Sequence, residues 1–216
     1  MCMDKINKLP PTIPIFPLSN FIIFPNTTVP LNIFEPRYIQ MIDDSMKSHR
    51  MIGMIQPKKS GELKKPDLYE VGCIGKITSF NETDDGRYLV VINGISRFNI
   101  NKEIETNKLY RICEVNYEKY NKDLDDKVEK FALKDLDKIF KDLKNLFEKK
   151  GFLVDWSNLK KENFSNTLNT LSMASPFSLE EKQVLLETID LNTRKLMLEE
   201  ILNTYIRDDF SNKTIQ

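Results

Sequence analysis

Residues 29–38, Val-Pro-Leu-Asn-Ile-Phe-Glu-Pro-Arg-Tyr, limit what this chain can fold into more than any other stretch. Val29, Leu31 and Ile33 alternate onto one face, the two-residue period of a half-buried strand. Phe34 closes that strand, and Glu35-Pro36 redirects the backbone. A proline pushes the residue before it towards extended geometry, while its own fixed φ suits the first turn of a helix. Behind it, Tyr38, Met41, Ile42, Ser45 and Met46 recur at helical spacing on one side. The segment predicts a strand feeding straight into a short helix, with Glu35 near the positive helix start and Arg37 in the first turn. Such a corner specifies a fold and, taken alone, no function.

The flanking segments extend this into a small sheet. Residues 13–18 read as a short strand broken by Pro14 and Pro17. Proline cannot donate to a ladder, so the piece belongs at a sheet edge or barrel rim. Residues 21–24 form a second apolar run, turned by Pro25-Asn26, and the corner helix should end near His49. Residues 51–55 predict a buried strand and 56–69 a polar loop carrying Lys58, Lys59, Lys64 and Lys65. Residues 71–80 predict a further strand before a turn at 81–86, where Asp85-Gly86 tolerates positive φ. Strands at 88–92 and 95–100 flank Asn93-Gly94, a hairpin or bulge signal, and 110–117 is the last strand. Short strands at close spacing with proline-rich edges point to a mostly antiparallel, barrel-like sheet.

Near residue 120 the pattern becomes helical. Val128, Ala132, Leu136, Ile139, Leu143 and Leu146 step by three and four, and Gly151 offers a stop. Trp156-Ser157 opens a second helix carrying Phe164, Leu168 and Leu171. Ser178-Leu179-Glu180-Glu181 is a capping-box pattern for a third, and a fourth runs from about Asn192 to Ile206. The expected class is α+β: a β-rich subdomain (13–120) with one short helix, then a helical bundle (127–210). A polar lead-in (1–12), a junction (121–126) and a tail (211–216) complete the layout.

At 216 residues the chain is long enough to bury a real core, and its 40 % hydrophobic and 30 % charged content is that of a globular protein. Acids and bases number 32 each, so no net field draws it to nucleic acid or an anionic membrane. Cys2, Cys73 and Cys113 are an odd number without close spacing, which argues against a disulfide framework and suits a reducing cytoplasm. Met1 to Lys5 lacks the apolar run of a signal peptide, and about 18 consecutive apolar residues occur nowhere, so no membrane span is expected.

A search for catalytic chemistry gives little. His49 is the single histidine, which excludes a multi-histidine metal site, and its place at a helix end suits a surface or capping role. Gly75-Lys76 is followed by Ile77 within a strand, so it is not a phosphate loop. The carboxylate pairs Asp43-Asp44, Asp84-Asp85 and Asp208-Asp209 are sequence neighbours that do not face each other on a helix or that satisfy turn backbone. Glu35 and Arg37 admit two readings, a charged rim beside a peptide groove or an internal pair locking strand to helix; Arg97, beside Phe98, admits the same two.

Several blocks taken together carry a family resemblance. Ile15-Phe16-Pro17-Leu18, Phe24-Pro25 and the run from Pro30 to Tyr38 resemble the amino-terminal, substrate-binding domain of ATP-dependent Lon proteases. The match continues through Val71-Gly72-Cys73-Ile74-Gly75-Lys76-Ile77, Asp85-Gly86-Arg87 and Gly94-Ile95-Ser96-Arg97-Phe98. The helical half, with Glu181-Lys182-Gln183-Val184-Leu185-Leu186-Glu187, is similar too. The resemblance implies a PUA-like barrel and a stand-alone recognition domain, lacking the ATPase and serine–lysine peptidase modules of full-length Lon proteases. It also implies polypeptide substrates and delivery to an ATP-dependent protease, with no enzymatic activity, cofactor or metal. Phe34, Glu35, Arg37, Tyr38 and Arg97 are the expected peptide-binding residues. Self-association is left open. The competing expectation is a small-barrel nucleic-acid-binding protein using Lys58, Lys59, Lys64 and Lys65, or a regulatory assembly partner.

Overall fold

Prolines decide how the first strand is used. The computed structural model describes residues 8–58, 65–125, 133–152, 155–159 and 161–213, with side chains as far as 207. Strand β1 is Thr12–Pro17, β2 Thr28–Ile33, β3 Met51–Ile55, β4 Val71–Glu82, β5 Tyr88–Ile104 and β6 Arg111–Asn116. Residues 12–15 of β1 pair antiparallel with β6, and residues 15–17 pair parallel with β3. Each half of β1 thus needs a ladder on one side only, which is what its two prolines allow.

The strand order is β2-β5-β4-β3-β1-β6, and β6 returns to pair with β5. Strands β5, β4, β3, β1 and β6 therefore close into a barrel, with β2 extending the sheet beside it. The β1–β3 pairing is parallel and the other described pairings are antiparallel. A mostly antiparallel, barrel-like sheet is what the strand spacing predicts.

One local expectation is corrected, one alternative is resolved, and one apolar run is placed. Strand β5 runs unbroken for 17 residues where two strands were expected. Gly75 pairs with Gly94 and Ile74 with Ser96, so Ile95 is the extra residue of a bulge and Asn93-Gly94 makes no turn. The apolar run 21–24 is a buried loop and not a strand, because its backbone bonds go elsewhere. The Asn26 N–H donates to Gly94 O at 2.9 Å, and the Gly94 N–H donates to Thr27 O at 2.8 Å. The Thr27 hydroxyl closes the loop, donating to Phe24 O at 2.7 Å and accepting from the Phe24 N–H at 3.1 Å. Only a glycine suits the bulge, since a Cβ on Gly94 would lie 2.2 Å from the Phe24 carbonyl oxygen.

Helix α1, Pro36–Met46, follows β2 directly, with Pro36 in its first turn and Glu35 extended at the N-cap. Tyr38, Met41, Ile42 and Ser45 are its buried face, as the spacing predicts. It stops short of His49 because Arg50, at φ 57°, turns back and donates its N–H to Ser45 O. One apolar cluster joins α1 to the sheet through Met41, Ile42, Ile52, Val90 and Ile92. A second fills the barrel with Ile13, Ile15, Ile74, Phe98 and Cys113. The predicted junction at 121–126 begins inside a 3₁₀ turn, Glu118–Leu124, whose Tyr120 is fully buried.

The chain divides into compact units 1–126 and 127–216. In the second, a 3₁₀ turn Leu133–Leu136 leads into α2, Asp137–Lys149, followed by α3 Trp156–Leu159, α4 Phe164–Ala174, α5 Leu179–Glu187 and α6 Leu191–Lys213. Val128 and Ala132 lie outside the described residues. The helix expected from Trp156 through Leu171 is two, because Asn163 caps a fresh start by accepting from the Asn166 N–H at 2.8 Å. The capping box at Ser178 and Glu181 forms as predicted. Arg194 is wholly buried and donates to Leu185 O at 2.9 Å, supplying a cation to the last turn of α5.

Gly94→Ala should lower the urea midpoint by the equivalent of about 1–3 kcal/mol, because backbone and not a flexible side chain blocks the new methyl. Gly86→Ala should cost about 1 kcal/mol, from its positive φ alone, since nothing lies within 4 Å of the added atom.

Candidate functional site

The strand–helix corner borders two adjoining depressions. One, of about 800 Å³, runs between the corner and the β5–β6 hairpin; the other, of about 560 Å³, lies between residues 16–21 and 29–38. Pro17, Ser19, Arg37 and Tyr38 line both, so the two adjoin at the corner.

Each wall has an identifiable cause. Tyr38 packs its ring on Phe16, centroids 4.3 Å apart, and the Arg37 guanidinium lies over the Tyr38 ring at 4.5 Å. Burial raises the Tyr38 phenol pKa, so the ring stays neutral. Arg37 also donates through Nε to Glu35 at 2.9 Å, which occupies the carboxylate that could have capped α1. On the opposite wall the hairpin docks on α1. Lys108 and the Tyr110 hydroxyl both donate to Asp44 at 2.8 Å, and the Leu109 N–H donates to Gln40 Oε1 at 2.9 Å. Those hydrogen bonds from Lys108 and Tyr110 hold the Asp44 carboxyl below its ordinary value.

At the end of the hairpin Arg111 grips Glu103 with two nitrogens, Nε at 3.1 Å and Nη2 at 2.8 Å. Lys65 reaches the same carboxylate at 3.0 Å, and Arg111 Nη1 donates to Pro66 O at 2.7 Å. Burial opposes ionisation of Glu103, but the bonds from Arg111 and Lys65 outweigh it and hold the carboxyl below its ordinary 4.5.

Four of the five residues singled out in the sequence meet here. Phe34 is 64 % exposed at the mouth of the second depression, with Arg87 stacked 5.9 Å from its ring. Glu35 and Arg37 form an exposed pair on the rim, and Tyr38 is a buried wall. Arg97 lies elsewhere. It is 2 % exposed and donates to Asp123 from its backbone N–H, Nε and Nη2 at 2.9, 2.8 and 2.7 Å, with its guanidinium 4.2 Å from the Tyr120 ring. Lys58 and Lys65 are described, whereas Lys59 and Lys64 lie outside the described residues. No local sequence pattern marks Glu103, Lys108, Leu109 or Arg111 as site residues. Their only trace is Glu103 and Arg111 flanking a hairpin, legible once β5 and β6 are known to pair.

Among the described residues no group of three or more His, Cys, Asp or Glu side chains could hold a metal ion. No described helix is long and apolar enough to cross a membrane. The depressions are thus bounded by aromatic rings and salt-bridged rims.

A family model, the ATP-dependent protease La (LON) substrate-binding domain, matches residues 12–204. Among curated relatives, a Lon protease of Desulfosudis oleivorans is 28 % identical over 208 residues, 91 % of this chain and 24 % of that protein. A Lon protease of Dictyoglomus thermophilum is 25 % identical over 203 residues, again 24 % of its length. The chain thus spans about a quarter of these relatives. The crystal structure of a Lon N-terminal domain protein from Xanthomonas campestris superposes with a TM-score of 0.62 at 19 % identity, covering 89 % of this chain and 97 % of that one. The N-terminal domain of a Mycobacterium avium complex Lon protease gives 0.61 at 18 % identity, covering 89 % and 98 %. Both share the fold.

Asp123→Ala should lower unfolding free energy by about 3 kcal/mol in denaturant titration, because a buried guanidinium loses the carboxylate it is built around. Glu103 and Asp44 resist protonation when folded, so the unfolded chain binds protons first and stability falls as pH drops below about 4.5. Urea midpoints measured between about pH 6 and about pH 3 should show this loss, with a shallower slope in Glu103→Gln.

Proposed function

Because this chain belongs to the family of ATP-dependent protease La (LON) substrate-binding domains, we propose that its β unit captures polypeptide segments in the double groove at the strand–helix corner, for an ATP-dependent protease. The observation that carries this is the pairing of two adjoining depressions with large apolar side chains held out beside them. Phe34 is 64 % and Leu109 62 % exposed, one in each depression. Exposed apolar groups of this size at a concave surface are costly unless something covers them. An unfolded segment offers both apolar side chains and backbone groups to such a surface.

In this reading Phe34 and Leu109 are the anchors, Arg37 and Glu35 the polar rim, and Tyr38 the floor. Arg97 holds the barrel to the Glu118–Leu124 turn and takes no direct part. The function is non-catalytic: the matched region is the substrate-binding domain, and the shifted groups of the groove, Asp44, Glu103 and Tyr110, are each engaged in holding its walls. A cytoplasmic setting fits Cys73 and Cys113, both buried free thiols, with burial raising the Cys113 thiol to about 11. The nucleic-acid alternative is the weaker one, since the cations of the groove have carboxylate neighbours and the chain carries no net charge.

Titration with a fluorescently labelled unfolded polypeptide should saturate and survive added salt, beside single-stranded RNA as the control. Phe34→Ala should weaken binding by about 1–2 kcal/mol while changing stability by less than about 0.5 kcal/mol, because the ring is exposed. RNA binding that collapses with salt, without polypeptide binding, would replace the proposal.

A further inference from the structure

We propose that the larger depression selects polypeptide segments in which an aspartate or glutamate side chain adjoins an apolar residue, the carboxylate being taken by Lys65 while Arg111 keeps Glu103. The inference rests on the polypeptide-binding reading and adds a substrate class to it.

The charge balance along the walls is uneven at one place. Arg37 is matched by Glu35, and Lys108 by Asp44, one carboxylate to each cation. Glu103 is one carboxylate shared by two cations, Lys65 at 3.0 Å and Arg111 at 2.8 Å. That trio carries one positive charge in excess. Glu105, the other acid of the lining, is exposed in the hairpin, where water screens its charge.

The two cations differ in freedom. Arg111 is 19 % exposed and pinned at three nitrogens, by Glu103 and the Pro66 carbonyl. Lys65 is 66 % exposed and held at one contact. An exposed ammonium on a flexible stem costs little to redirect. An incoming carboxylate can therefore take Lys65 while Arg111 keeps Glu103, turning a trio with excess charge into two balanced pairs. No bond within the wall is left unsatisfied by that exchange.

Apolar surface lies within reach of the same point. Pro66, Ile104 and Leu109 line this depression together with Lys65 and Arg111. A segment bound by its carboxylate can lay a neighbouring apolar side chain against them. Because the second depression adjoins this one at Arg37 and Tyr38, a bound chain can run on from one to the other, and the carboxylate is an internal side chain rather than a chain terminus.

The test uses the full chain and fluorescence anisotropy with two labelled peptides, both blocked at their ends and rich in leucine and phenylalanine. One carries a central glutamate and the other glutamine. At low salt the glutamate peptide should bind about five-fold more tightly. Lys65→Gln should erase that preference. Glu103→Gln, which removes the internal competitor, should widen it, and a gain of this kind is not what loss of structure produces.

Equal binding of the two peptides by the native protein overturns the inference and leaves polypeptide capture standing. So does a preference that neither variant moves. If neither peptide binds, the polypeptide reading itself falls and the inference with it. Tighter binding of a glutamine peptide with a free C-terminus than of the blocked glutamate peptide would assign the cations to chain ends and overturn the internal-side-chain claim.

Discussion

The β unit depends on a single long strand whose backbone must be satisfied along both edges. Strand β5 meets β4 on one side, and on the other meets β2 and then β6. A straight, regular strand could not serve two partners that diverge, since one edge would be left with unpaired backbone groups at the point of change. The bulge at Ile95 introduces the bend, and the loop carrying Phe24 and Thr27 hydrogen-bonds Gly94 where the ladder is interrupted. Further register shifts at Ile77/Ser79 and at Ile100/Lys102 accompany that bulge as β5 passes from β2 to β6.

The groove is a consequence of where β2 ends and β6 begins. Strand β2 delivers the chain into α1 at Pro36, and the β5–β6 hairpin folds back against the same helix. The apolar underside of α1 supplies the adhesion: Met41 and Ile42 are fully buried, and each such side chain contributes about 1.5–3 kcal/mol. The polar contacts on the upper side are mostly exposed ion pairs, each worth about 0–1 kcal/mol. The framework under the groove is thus strongly determined while its charged rim can be rearranged cheaply.

The buried charges behave differently. For Arg97 an internal pair was one of the two readings the sequence allowed, but its partner was not legible; Arg194 carried no structural signal at all. Arg97 is enclosed by Asp123 and Tyr120, 23 or more residues further along. Arg194 reaches the end of the preceding helix, where the last carbonyls of α5 need donors. In both cases the burial of charge is tolerable only because hydrogen bonds from another element meet it. No local pattern announces such a partner.

What the sequence by itself determined are the features governed by neighbours along the chain. The alternation of Val29, Leu31 and Ile33, the fixed φ of Pro36 and the helical spacing of Tyr38, Met41 and Ile42 settle the strand–helix corner. The capping box at Ser178 settles the start of α5, because both of its bonds span three residues. The signal at Asn93-Gly94 was ambiguous for a physical reason: a tight turn and a bulge both need a residue that tolerates close backbone approach. Only the tertiary structure decided between them, through the loop that packs on Gly94. It alone also brought Lys65, Glu103 and Arg111 to the corner. Their meeting depends on strand pairing and hairpin docking across many residues, a long-range arrangement that local periodicity does not encode.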